Sequence, residues 1–220
     1  MDAAAAIARE LAELPHRDTA SVRAVRRRWS KTFRGFPADE VLAIAMRLEL
    51  EAGQTGKWVA YELIRFHLGA FADISPAVVE AFAASAASWY AVDALGTILG
   101  GPLWAKGRLP DAMIEDWSRS EGRWLRRSAL VATVGAKADA GRTLAICRRL
   151  AADRDDMVEK ALSWALRELA KRDRLAVELF MAEMARAVAP RVRREVRNKL
   201  TTGLKTPKPA GRTRAKVTEG

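Results

Sequence analysis

Trp89 and Asp93 stand four residues apart in the run Ser88-Trp89-Tyr90-Ala91-Val92-Asp93-Ala94-Leu95. On a helix that spacing puts both on one side, within reach of a single ligand. A carboxylate beside a large aromatic ring can stabilise a developing positive charge. At about 100° per residue, Val92, Leu95 and Leu99 fall together as a core stripe, and Trp89 and Asp93 lie roughly 60–120° round from it. The pair is therefore expected off the core axis. The plain alternative is a partly buried tryptophan next to a solvated aspartate.

Trp164 offers a second aromatic. In the helix expected from about Asp156 to Lys171, Val158, Ala161, Leu162, Ala165 and Leu169 share one face. Trp164 falls with Lys160, Arg167 and Lys171 instead. A ring within a basic stripe is what a surface needs to meet phosphates with cations and a sugar or base with an aromatic plane. The alternative is an amphipathic helix whose polar face carries one exposed tryptophan.

A third segment, Ser120-Glu121-Gly122-Arg123-Trp124-Leu125-Arg126-Arg127, stacks Arg123 and Arg127 at i and i+4. Arg127 shares its side with Val131 and Val134, so packing can hold its guanidinium rigid while the fork still faces a phosphate. A snorkelling arginine paired with Asp93, Asp116 or Glu121 reads equally well. The cluster Arg23, Arg26, Arg27, Arg28 and Lys31 is a weaker signal, because charge runs are usually solvated faces.

Helical spacing recurs along nearly the whole chain, and no convincing alternating strand appears. A helix from about Asp2 is stopped by Leu14-Pro15, and a second opens near Thr19. Pro37 reads as a first-turn proline ahead of Asp39 and Glu40. The next helix is expected from Gly56 to about Leu68, closed by Gly69. Further starts follow Ser75, Ser88, Pro110, Ser120, Asp139, Asp156, Asp173 and Pro190, with Gly100-Gly101-Pro102 as the longest break. Short connections between helices of 10–16 residues describe antiparallel pairs, and a pair every 35–45 residues fits degenerate HEAT-like units. The expected fold class is an all-α, right-handed helical-repeat solenoid whose concave face cradles a rod-shaped ligand.

The 220 residues carry a net charge of +11, which points to a polyanionic partner. The excess is uneven. From Arg191 to Gly220 there are ten Lys/Arg against two Glu, which leaves only +3 for the first 190 residues. Residues 1–200 read as one domain and 201–220 as a disordered basic tail. Cys147 is the only cysteine, and His16 and His67 belong to no ligand pattern, so no metal site and no cofactor is expected. The absence of an 18-residue apolar run and of a signal sequence suggests a cytoplasmic protein.

Three segments together resemble a known family, the bacterial DNA alkylation repair proteins of the AlkD type, alkylpurine DNA glycosylases built from HEAT-like repeats. They are Ser88 to Asp93, Arg123 to Ala129, and Glu159-Lys160-Ala161-Leu162-Ser163-Trp164-Ala165-Leu166-Arg167-Glu168-Leu169-Ala170-Lys171. The likeness runs from about Thr19 to Leu200. It implies that Asp93 is the catalytic aspartate, that Trp89 and Trp164 flank the lesion-bearing nucleotide, and that Arg127 holds backbone phosphate. Arg123, Lys160, Arg167 and Lys171 are the further DNA-binding candidates. The implied reaction is hydrolysis of the N-glycosidic bond of cationic N3- and N7-alkylpurines in double-stranded DNA, without base flipping, by a nucleoid-associated monomer. A non-catalytic module binding damaged or branched DNA is the alternative. The chain departs from the family in having no aromatic residue before Trp29 and in carrying Tyr90 where a second tryptophan is common.

Overall fold

Aspartate or serine caps seven of the helices, and apolar stripes decide how the helices stack. The structure, a computed structural model, describes residues 2–207. All regular secondary structure among them is helical. Asp2 and Asp18 cap α1 (Ala3–Ala12) and α2 (Thr19–Thr32) by accepting from backbone N–H groups of the first turn. A 3-10 turn at Phe33–Gly35 leads to α3 (Ala38–Glu51) and α4 (Gly53–Phe66). The short α5 (Leu68–Asp73) precedes α6 (Pro76–Ser85), where Ser75 is the cap and Pro76 fills the first helical position.

Ser88 caps α7 (Trp89–Ala94), which runs through a wide π-helical turn at Leu95–Gly100 directly into α8 (Gly101–Ala105). After α9 (Asp111–Arg119) come α10 (Arg123–Ala136) and α11 (Ala140–Arg149), then α12 (Asp156–Leu169), α13 (Arg174–Glu183) and α14 (Pro190–Thr202). Contacts follow chain order. α2 lies on α4, α4 on α7 and the wide turn, the wide turn on α10, α10 on α12, and α12 on α14. The other helix of each later pair, α9 or α11, backs onto this series.

Four expectations need correction. Gly100-Gly101-Pro102 is no break, because the Gly101 N–H donates to the Gly96 carbonyl and the chain stays helical from Trp89 to Ala105. Pro102 is tolerated there because it falls in the first turn of α8, where the register changes. Gly69 does not close a helix but sits inside α5, and the helix before it starts at Gly53. Pro37 is the residue before the first helical position of α3, not part of its first turn. At the other end, Thr201 and Thr202 still belong to α14. Of the tail expected at 201–220, residues 208–220 lie outside the described residues.

The glycines of the wide turn have a packing purpose. A Cβ on Gly96 would come 2.7 Å from Val131 Cγ1, and one on Gly135 would run into the Gly96 carbonyl. One on Gly101 would approach the Ala136 nitrogen to 2.5 Å. Backbone therefore meets backbone where the wide turn crosses α10, a distance only glycine allows. That close crossing brings α7 alongside the start of α10.

Candidate active site

Val92, Leu95 and Leu99 are fully buried, so the expected core stripe of the Trp89/Asp93 helix is the observed one. Trp89 stands 56% exposed, with Tyr90 meeting it edge-on at 6.0 Å. The Ser88 hydroxyl donates to Gln54 Oε1 at 2.8 Å and accepts from the Ala91 N–H, which fixes the start of this helix against α4. Asp93 projects one turn further along. Trp89, Tyr90 and Asp93 line one wall of an open groove of about 300 Å³, and Thr19, Arg23 and Trp58 line the other.

Across the crossing, Arg127 is almost wholly buried and donates to Asp93 twice. Nε reaches Oδ1 at 2.9 Å and Nη2 reaches Oδ2 at 2.8 Å. Nη1 donates to the Met157 carbonyl in the first turn of α12. Arg127 thus joins three helices, α7, α10 and α12, at one point. Of the three carboxylates that sequence left open as its partner, Asp93 is the one it meets. Burial pushes the Asp93 carboxyl above its usual range, and the Arg127 fork opposes that rise without cancelling it.

The other residues singled out by sequence are placed differently. Trp164 is half-buried, packed against the core, and is not part of the groove wall. It follows Met157 by seven residues on α12, which puts it about 10 Å further along the same side of that helix. Val158, Ala161, Leu162, Ala165 and Leu169 are all buried, as their spacing required. Arg167 points inward, donating to Ser163 Oγ at 3.2 Å, while Ser163 donates to the buried Glu195 at 2.6 Å. Burial pushes the Arg167 guanidinium below its usual range.

Lys160 pairs with Asp156 at 2.7 Å, Lys171 with Glu168 at 2.7 Å, and Arg123 with Asp155 at 3.6 Å. Lys160 and Arg191 together hold the Asp156 carboxyl down to about 2. Sequence reasoning did not place Thr19, Arg23 or Trp58 at the groove. The available signal was Arg23, already part of the N-terminal basic cluster, one turn after Thr19. No cluster of three or more His, Cys, Asp or Glu side chains suited to a metal ion occurs among the described residues, nor is any described helix long and apolar enough to cross a membrane.

The family described as DNA alkylation repair enzyme matches residues 18–200, which span every residue of this site. The chain belongs to that family. A solved structure described as a predicted DNA alkylation repair enzyme from Enterococcus faecalis has the same fold. It superposes with a TM-score of 0.67 at 20% identity, over 84% of this chain and 87% of that one. No curated protein matches the chain. Membership of the DNA alkylation repair family makes repair of alkylated DNA the context in which Asp93, Arg127 and the tryptophans are to be read.

Proposed function

We propose that this protein is an alkylpurine DNA glycosylase whose groove at Asp93 takes a nucleotide carrying a cationic N3- or N7-alkylated purine. The observation that carries the reading is the Asp93 carboxylate, oriented by a two-bond arginine fork beside the exposed Trp89 ring. Alkylation leaves the base positively charged, so its bond to C1′ breaks with the electron pair moving onto the base and neutralising it. Departure then needs little acid catalysis and no metal. The sugar is left with oxocarbenium character, which the Asp93 carboxylate stabilises through space and tryptophan rings stabilise by cation–π attraction. Water adds to C1′, and its proton leaves through Asp93 or solvent. A single aspartate can serve here where sugar hydrolases use a carboxylate pair.

Within this reading Trp89 and Trp164 flank the damaged nucleotide, with the base staying unflipped in the duplex. Arg127 keeps two N–H bonds beyond the three it uses on Asp93 and Met157. Those two are the ones a backbone phosphate would accept from. Arg123, Lys160, Arg167 and Lys171 would have to exchange carboxylate or hydroxyl partners for phosphate, a trade that gives less than a free cation would.

One observation favours the second reading, a module that binds damaged DNA without cutting it: both Asp93 oxygens already accept from Arg127. Release of 7-methylguanine from methylated duplex separates the two. Wild type should release the base in single turnover, and Asp93→Asn should do so about 10²-fold more slowly or less. Equal rates would remove Asp93 from the chemistry, and no release by wild type would leave the binding module.

A further inference from the structure

A second cavity is larger than the Asp93 groove. It is a cleft of about 770 Å³ between the second half of α2, the 3-10 turn and the α4–α5 junction. Arg26, Arg27, Lys31 and Arg34 line it, and no carboxylate does. Arg26 is neutralised by Glu62 at 2.8 Å. Arg27, Lys31 and Arg34 are exposed and form no ion pair among the described residues, unlike Arg123, Arg127, Lys160 and Lys171. Ser30, whose Oγ has no hydrogen-bond partner, is part of the same wall. At the rim, Phe66 is 57% and Leu68 92% exposed, and the Arg26 guanidinium covers one face of the Phe66 ring at 4.2 Å.

We infer that this cleft is a second nucleic-acid subsite, holding the sugar–phosphate strand that leads away from the Asp93 groove. α2 connects the two. Arg23 belongs to the groove wall, and Arg27 and Lys31 follow it at i+4 and i+8 on one face of the helix. That face spans about 12 Å, over which one strand of a duplex carries three or four phosphates at about 3.4 Å each. On that face Arg27 and Lys31 are unpaired, while Arg23 is held by Glu62 at 3.5 Å. Arg34 in the 3-10 turn adds a third unpaired cation just beyond it, and the free face of Phe66 offers a surface for a sugar or an unstacked base. A solvated charge run would not line a cleft and place an exposed ring at its edge. The inference rests on the DNA-binding part of the proposed function but not on its chemistry.

The test is binding of the full chain to an unmodified duplex, measured against salt, so that base release plays no part. In Arg27→Ala/Lys31→Ala the slope of log K against log salt should become shallower by about two, one for each phosphate released. Arg148→Ala/Arg174→Ala, which removes two exposed arginines already paired with Glu183 and Glu178, should keep the wild-type slope. Phe66→Ala should weaken binding at least fivefold with the slope unchanged, because stacking releases no counterions. A wild-type slope in the folded Arg27→Ala/Lys31→Ala protein would overturn the phosphate site, and unaltered affinity in Phe66→Ala would overturn the stacking surface. Failure of wild type to release any methylated base, with these slopes intact, would count against the glycosylase reading alone.

Discussion

Asp93 and Arg127 are bound to one another by two parallel hydrogen bonds where α7 crosses α10, with the arginine side chain 7% exposed and the aspartate 22%. The arrangement exposes the carboxylate to the groove on one side and fixes its orientation on the other. It also makes the arginine costly to lose, because a half-dry carboxylate would be left without its counter-charge.

Arg127→Lys is expected to behave nearly as badly as Arg127→Ala in base release. A lysine ammonium keeps the charge but cannot present two parallel donors to one carboxylate. Arg127→Ala should lose about 3 kcal/mol of folding stability by denaturant unfolding, since removing one member of a buried pair strands the other, and Arg127→Lys, which keeps the charge, should lose less. Arg127→Ala should in addition flatten the salt dependence of duplex binding by about one unit if its remaining N–H groups meet a phosphate. A lysine variant with wild-type release would show that charge alone, not the fork, sets up Asp93.

The pH dependence follows from the burial of Asp93. The active form is the carboxylate, so release should fall as pH drops through a value above the ordinary 3.8 of an aspartate. Folding has the opposite sign. Between 3.8 and the raised value the folded state holds the extra proton, so this group's contribution to stability declines as pH rises through that window. A pH–rate profile with its acid limb at or below 3.8 would contradict this placement, and Asp93→Asn should lack the limb altogether.

The two tryptophans should respond differently to truncation. Trp89→Ala removes a largely exposed ring and should leave the melting temperature nearly unchanged while lowering release about tenfold, the worth of one desolvated cation–π contact. Trp164→Ala removes a ring packed against the core, so it should cost about 2 kcal/mol of stability as well as activity. Thermal melts beside single-turnover rates decide the matter. Equal destabilisation by both would mean that Trp89 is a packing residue.

Gly135→Ala tests the crossing itself. Its methyl group would collide with the Gly96 carbonyl, a backbone atom that cannot turn aside. The expected loss is about 3 kcal/mol, with a disproportionate fall in release because α7 and α10 must separate. Ala at Gly107, where the backbone is left-handed but nothing lies within 4 Å, should cost only about 1 kcal/mol and spare the rate. Similar activity losses in the two variants would argue against the crossing as the element that aligns Asp93.

Much of the site was legible because helical phase is a strong signal. The four-residue spacing of Trp89 and Asp93, the apolar stripe of Val92 and Leu99, and the face of Arg127 shared with Val131 all read correctly from position alone. Partner choice was not. Asp93, Asp116 and Glu121 are equivalent in sequence, and only the packing of α7 on α10 selects Asp93. The basic stripe of α12 also changed meaning: Arg167 turns inward because Ser163 and Glu195 wait beneath it, and Glu195 comes from α14, thirty-two residues from Ser163. Gly100-Gly101-Pro102 was misread for the same reason. Glycine and proline mark breaks when local preference decides, and here a tertiary contact with Gly135 decides instead.

The wide turn at Leu95–Gly100 has one more consequence. It holds about one residue more than an α-helical path would, so every side chain beyond it is rotated by roughly 100° from the phase set by Trp89 and Asp93. One rod thereby serves two clients: its first half looks into the groove and its second half lies flush on α10. Deleting a single residue there would keep the rod helical and its length almost the same, yet would twist its two halves out of step. The alignment of Asp93 is thus stored as an angle, spread over a segment that contributes no reactive group.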